Sequence, residues 1–242
     1  MKLIQLGKIT AIHGDCMDYM KSLPDNAYDL AIVDPPYGIG ADKPSIKPNK
    51  AKRKNGSVSN IAQSNYKHKN WDSKPADKIY FDELMRVSKN QIIWGVNYYD
   101  YNFKGGRIVW DKLNGTSDQF GCEIAYCSLN NRTDIVYFMW AGMMQGLYCG
   151  REIYKSLIQQ GDKSLNEKRI HPTQKPVKLY KWLLINYAKP GMKILDTHGG
   201  SFSHAIACHD LNFELTIIEK DKDYFDAAVK RLGWHQRQLK LF

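Results

Sequence analysis

The chain has 242 residues, 43% hydrophobic and 12% aromatic, enough for one large core. Lys and Arg total 35 against 25 Asp and Glu, and the net charge of +10 makes a polyanionic partner plausible. The five cysteines are odd in number and contain no CxxC pair, which argues against a disulfide framework or a zinc knuckle, and no metal site is indicated. No apolar run is long enough for a secretory signal or a membrane span, so a soluble, cytoplasmic protein is expected.

Ile9 to His13 reads as a short strand, followed by a turn, a short helix and a turn in GDCMDYMKSLPDNA. Tyr28 to Val33 is a continuous apolar run, as in a strand buried on both faces. Residues 41–70 lack apolar periodicity. They carry Lys43, Lys47, Lys50, Lys52, Arg53, Lys54, Lys67 and Lys69 against the single acid Asp42, and a mobile loop is predicted there. PADKIYFDELMRVSKN predicts a helix. QIIWGVNYY, GGRIVWDK, CEIAYCSLN and DIVYFMWA predict strands separated by turns. Residues 142–166 are mixed.

From His171 the pattern changes. Val177, Tyr180, Leu184 and Tyr187 recur at helical spacing, with Thr173 as the expected cap and Pro176 in the first turn. MKILDTHGG then reads as strand and glycine turn, SFSHAIACHDL as helix, FELTIIEKD as strand and KDYFDAAVKRLGWHQ as helix. Strands alternating with helices predict an α/β fold with a doubly wound, mainly parallel sheet, and a single domain over 1–242.

Ligands of such sheets sit at the carboxyl ends of strands. Two stretches there carry chemistry. In ILDTHGGS, glycines after a strand allow close backbone approach, and an acid about twenty residues on, Glu219, suits ribose hydroxyls. The alternative is a plain tight turn with a solvated Glu219. The absence of GxGxxG and of a phosphate-binding lysine argues against a pyrophosphate and leaves room for another nucleoside ligand. In YDLAIVDPPYGIG, two prolines make a rigid elbow after a buried strand. Asp34 and the Pro35 carbonyl become two acceptors and Tyr37 a flat ring, a site for a planar ring bearing an NH₂ group.

DPPYGIG, HPTQKPVKL and ILDTHGGSFSHAIA with IIEKDKDYFDAAVKRL resemble the S-adenosylmethionine-dependent amino-methyltransferases of DNA. The likeness is to the β class, in which the target-amine motif precedes the cofactor motif, and to its small phage and bacterial adenine-N6 members. It implies the Rossmann-like methyltransferase fold in circularly permuted order. Ile9 to His13 would be its third strand, Tyr28 to Val33 the fourth, Lys193 to Leu195 the first and Leu215 to Ile218 the second. The resemblance assigns Asp34, Pro35, Pro36 and Tyr37 to catalysis, and Asp34 to cofactor binding as well. It assigns Asp196, His198, Gly199, Gly200 and Ser201 to the methionine portion of the cofactor, Glu219 to its ribose, and Asp15 with Cys16 to its adenine. Thr173, Gln174 and Lys175 match an extra cofactor-side motif near the methionine carboxylate. The usual D-P-F-x-G-S-G is altered: Thr197 stands for Pro, His198 for Phe and Phe202 for Gly.

Restriction-modification, a flipped adenine stacked on Tyr37, and phosphate contacts from the eight basic residues Lys43 to Lys69 follow from the same likeness. Residues 140–170 are left as the target-recognition insertion, by elimination. The chain lacks a large recognition domain, which implies modest specificity or a homodimer that shares the reading. Cytosine-N4 methylation, RNA adenine methylation and a cofactor-dead nucleic-acid binder stay open as alternatives. Asp34 tilts the choice to adenine, because many cytosine-N4 enzymes carry Ser there.

Overall fold

The computed structural model describes residues 1–42, 50–52, 58–60, 69–114, 120–141, 144–147 and 166–238. Ten strands form one sheet: β1 (Lys2–Leu6), β2 (Ile9–His13), β3 (Leu30–Val33), β6 (Gln91–Trp94), β7 (Gly106–Asp111), β8 (Cys122–Cys127), β9 (Thr133–Ala141), β10 (Met144–Leu147), β11 (Lys193–Asp196) and β12 (Glu214–Glu219). A separate antiparallel pair joins β4 (Lys50–Lys52) to β5 (Val58–Asn60). Among the described residues the α-helices are α1 (Cys16–Lys21), α2 (Lys78–Val87), α3 (Val177–Tyr187), α4 (Ser203–Asp210) and α5 (Lys222–Arg237).

The sheet order is β1-β2-β12-β11-β3-β6-β8-β7-β9-β10. The run from β2 to β6 is parallel, and β8 enters antiparallel between β6 and β7. The strands taken from sequence as third, second, first and fourth of the permuted fold are adjacent in that order. The expected strand from Tyr28 starts at Leu30, although Tyr28 bridges to Ser88. The edge strand β1 and the strand β10 were not anticipated; β1 pairs antiparallel with β2.

Both faces of the central strands are covered, which explains their unbroken apolar runs. On β3, Leu30 and Ile32 pack with the buried residues of α3, α4 and α5, while Ala31 and Val33 pack with Met20 of α1 and with Phe81 and Leu84 of α2. Helix α3 buries Val177, Tyr180, Leu184 and Tyr187, the spacing read from sequence. Its cap differs. Pro176 holds the cap position, and the Val177 amide donates to the Glu167 carboxylate at 2.9 Å. Thr173 instead meets His171 Nδ1 at 3.2 Å. Its place is taken because a proline at the cap has no side-chain acceptor and an acid from the preceding segment reaches the orphan amide.

The predicted loop over 41–70 is not devoid of order, since it holds the β4–β5 pair. Lys43, Lys47, Arg53, Lys54 and Lys67 lie outside the described residues, and Lys50 and Lys52 are described only as backbone of β4. Of the expected insertion at 140–170, the described parts are the end of β9, the strand β10 and residues 166–170. No helix among the described residues is long and apolar enough to cross a membrane, and no cluster of metal-ligating side chains occurs among them.

Candidate active site

The carboxyl ends of β2, β3, β11 and β12 open on one cleft of ≈1040 Å³. Asp15, Gly199, Gly200 and Glu219 line one end, and Asp34, Tyr37 and Glu123 line the other. Single-ligand pockets run to about 1,000 Å³, so this cleft has room for a nucleoside and a second planar group.

The elbow after β3 is locked by its neighbours. Tyr99 donates to the Pro35 carbonyl at 2.8 Å, and the Ala76 amide donates to the Pro36 carbonyl at 3.1 Å. The Gly38 and Ala41 amides each donate to the Asp72 carboxylate at 2.7 Å. Gly38 adopts φ +73° and a Cβ there would lie 2.4 Å from Pro75, so only glycine fits. The Pro35 carbonyl, expected to be free, therefore has one lone pair occupied and one to spare.

Tyr37 is also more engaged than its motif implied. Its ring stacks on Tyr98 with centroids 4.8 Å apart and planes 13° from parallel. A Cβ on Gly95 would lie 2.2 Å from that ring, so Gly95 makes the space for it. The phenol donates to Asp34 Oδ1 at 2.7 Å. Lys175 also reaches Asp34 Oδ1, at 2.6 Å. Both contacts fall on Oδ1, leaving Oδ2 without a partner among the described residues. Burial raises the Asp34 carboxyl above its usual range, with Lys175 opposing.

Lys175 was expected beside a cofactor carboxylate. The structure turns it to the other end of the cleft, between Asp34 and Glu123, the latter at 2.8 Å. Burial disfavours its charge, yet the two carboxylates outweigh burial and raise it. Glu123 Oε1 pairs with Lys112 at 2.6 Å. Burial works against the Glu123 carboxylate too, and the two lysines override it and hold it at about 2. No motif in the sequence marks Glu123, Lys112, Tyr98 or Tyr99 as site residues. The one signal was Glu123 as a lone acid in the apolar strand CEIAYC. Because β8 is antiparallel, its first residues lie where the parallel strands end.

At the opposite end, Glu219 accepts the Gly200 amide on Oε2 and the Asp221 amide on Oε1, each at 2.7 Å. Burial lifts its carboxyl to about 7. Asp15 caps α1 by accepting from the Met17 amide, and a hydrogen bond from Lys220 lowers its carboxyl. Burial, with Asp15 adding to it, pushes the Cys16 thiol up to about 12.

Asp196 departs from expectation. It is 1% exposed and turned inward, pairing with His204 Nδ1 at 3.0 Å and accepting the His198 amide. It shapes the turn from behind and is not on the cleft wall. Gln174 is likewise buried, bonded through its side chain to Ile170 N and Lys168 O, although it touches the wall. Ser201 meets Ser203 at 3.0 Å. Thr173, His198, Gly199 and Gly200 do line the cleft.

The three altered positions of the glycine motif have physical correlates. Thr197 Oγ1 bridges Tyr80 at 2.6 Å and His198 Nδ1 at 2.9 Å. Burial lowers His198 to about 4, so its imidazole is a neutral ring at ordinary pH. Phe202 is fully buried at φ +58°, a left-handed conformation that costs a non-glycine residue about 1–2 kcal/mol. Its ring fills the space where a Cβ on Gly199 would fall, 2.6 Å away.

Lys69, the one basic-segment side chain described, does not project freely. It pairs with Asp221 at 2.9 Å and Asp223 at 2.7 Å beside the cleft. Local acids thus take up its charge.

An open nucleoside-sized cleft at the carboxyl ends of a 3-2-1-4 parallel run, with antiparallel β8 inserted between β6 and β7, fits the doubly wound methyltransferase architecture. The solved structure of M1.HpyAVI with S-adenosylmethionine shares this fold, at a TM-score of 0.50 and 20% identity over 92% of this chain and 99% of that one. So does the cytosine-N4-specific PvuII DNA methyltransferase, at 0.52 and 10% identity over 97% and 88%. The family described as DNA methylase matches residues 132–230. Type II methyltransferase M.HinfI of Haemophilus influenzae is 23% identical over 92% of this chain and 68% of its own length. Type II methyltransferase M2.MboI of Moraxella bovis is 25% identical over 90% and 85%. By this family match and these relatives the chain is similar to the S-adenosylmethionine-dependent DNA methyltransferases, with the N6 or N4 type left open.

Proposed function

We propose that this enzyme methylates the exocyclic N6 amine of adenine in DNA, with Asp34, Pro35 and Tyr37 as the groups that meet the base. The observation that carries the reading is the unpartnered Oδ2 of Asp34 beside a Pro35 carbonyl with a spare lone pair, on two residues that line the cleft. An adenine amine has two hydrogens and a lone pair delocalised into its ring. Two fixed acceptors take those hydrogens and favour a pyramidal nitrogen with its lone pair free.

The donor set at the other end fits the cofactor. Each Glu219 oxygen keeps a lone pair for a ribose hydroxyl, Asp15 and Cys16 stand at the α1 terminus for the adenine, and the Gly199–Gly200 turn allows close approach. His198, neutral through burial, offers an uncharged ring where relatives of the family carry Phe. When bound, S-adenosylmethionine supplies an electrophilic sulfonium methyl group. Asp34 Oδ2 orients the amine and receives the proton the nitrogen sheds after alkylation. Its proton affinity, raised by burial, suits that task. A stacked, paired base cannot reach Asp34, so the adenine is extruded into the cleft. The type II names of M.HinfI and M2.MboI support a place in restriction-modification.

Nucleoside mass spectrometry tests this. The protein is incubated with S-adenosylmethionine and unmethylated DNA, and in parallel with RNA, with Asp34→Ala as control. N6-methyladenine in DNA, lowered at least about 10²-fold in the variant, is the expected result. N4-methylcytosine, or product in RNA alone, would replace the substrate.

A further inference from the structure

Four charged side chains from four separate segments meet behind the elbow, and the transfer described above uses one of them. Lys175 Nζ lies 2.6 Å from Asp34 Oδ1, 2.8 Å from Glu123 Oε2 and 3.0 Å from Tyr37 Oη. Glu123 Oε1 faces Lys112 at 2.6 Å. The Lys175 side chain is 4% exposed, and its ammonium sits 5.4 Å from the Tyr37 ring centre and 5.5 Å from that of Trp94. Removing such charges from water is costly, so the cluster persists only because carboxylates and ammoniums alternate with no net charge. A carboxylate buried alone would take up a proton and lose the acceptor that an amine needs.

We propose that Lys175 and Glu123 are positioning residues for methyl transfer. Lys175 tethers Asp34 Oδ1, so that Oδ2 is aimed at the target amine. Glu123 shares the same ammonium and sets how much of its charge Asp34 feels. The inference rests on Asp34 as the amine acceptor.

The two partners act on Asp34 with opposite sign. Lys175 favours its ionised form; Glu123 disfavours it and shares the Lys175 ammonium. Besides Lys112, which pairs with Glu123, the phenols whose charge would reach Asp34 are Tyr37 of the same turn, Tyr99 after β6, Tyr80 of α2 and Tyr180 of α3. Burial raises each phenol above its ordinary range, so all four remain neutral.

The test is the pH profile of kcat on unmethylated duplex DNA for the wild type, Lys175→Met, Lys175→Arg and Glu123→Gln. Lys175→Met should move the acid limb up by about one unit. It should also lower kcat by roughly 10²-fold, with KM for S-adenosylmethionine changed less than about threefold. Glu123→Gln should move the limb down, and Lys175→Arg should restore it. Carbon-13 NMR titration of the Asp34 carboxyl in the cofactor-free protein, assigned with Asp34→Asn, reads the same opposed shifts without turnover. Glu123→Asp, which keeps the charge and withdraws it, gives a milder downward shift if the Gln variant fails to fold. Limbs that stay fixed, or a Lys175→Met effect confined to KM for S-adenosylmethionine, overturn the proposal while an inactive Asp34→Asn leaves the Asp34 reading standing. An active Asp34→Asn removes that reading and this proposal together.

Discussion

The two ends of the cleft hold their carboxylates by different means. At the glycine turn, Glu219 is fixed by two backbone amides, and Asp15 by one together with the exposed Lys220 ammonium. At the elbow, Asp34 is fixed by side chains alone, the ammonium of distant Lys175 and the phenol of Tyr37 from the same turn. Amides come with the local fold and carry no net charge. A buried ion cluster depends on every member, because losing one strands the others in a low dielectric. The glycine end should therefore tolerate single substitutions that the elbow does not.

The largest expected break in that comparison is Lys175→Met, which leaves two carboxylates facing one another beside Lys112. A loss of about 3–5 kcal/mol is expected, read as a fall in the denaturant midpoint. The double variant Lys175→Met with Glu123→Gln should recover part of it, because the stranded charge is removed. Losses that simply add would show the cluster to be uncoupled.

A smaller effect is expected where the elbow borrows the device of the other end. Asp72 accepts the Gly38 and Ala41 amides at 2.7 Å each. Asp72→Ala should cost about 1–3 kcal/mol. It should speed amide hydrogen exchange at Gly38 and Ala41 with little change at Gly200. Equal acceleration at all three amides would mean that the ends are not independent.

The smallest effect concerns Glu219, whose carboxyl burial lifts from 4.5 to about 7. A carboxyl raised in the fold favours the folded state most below its unfolded pKa, and that contribution is lost as pH rises through about 7. Cofactor binding should run the other way, since ribose hydroxyls donate to the ionised form. Affinity for S-adenosylmethionine should rise on the order of tenfold between about pH 6 and 8. Calorimetry on Glu219→Gln should show weaker binding with that slope removed; an unchanged slope would assign it to another group.

The amino-acid sequence alone did not mark β1, β10 or the β4–β5 pair, but it determined the central strands, the helical spacing of α3, the glycine turn and the DPPY elbow. Each is encoded within a few consecutive residues: an unbroken apolar run, a period of 3.6, or proline and glycine at set places. Even the permuted strand order was legible, because motif order carried it. Tertiary structure alone decided where long side chains point. Asp196 and Gln174 sit in motifs yet turn into the protein, since buried polar atoms go to whichever partner the packing brings within reach. Lys175 belongs in sequence to the cofactor-side motif, yet reaches Asp34, 141 positions away, and Glu123 on an antiparallel strand. No local pattern could report that meeting, because it exists only once four separate strand ends and loops share one edge of the sheet.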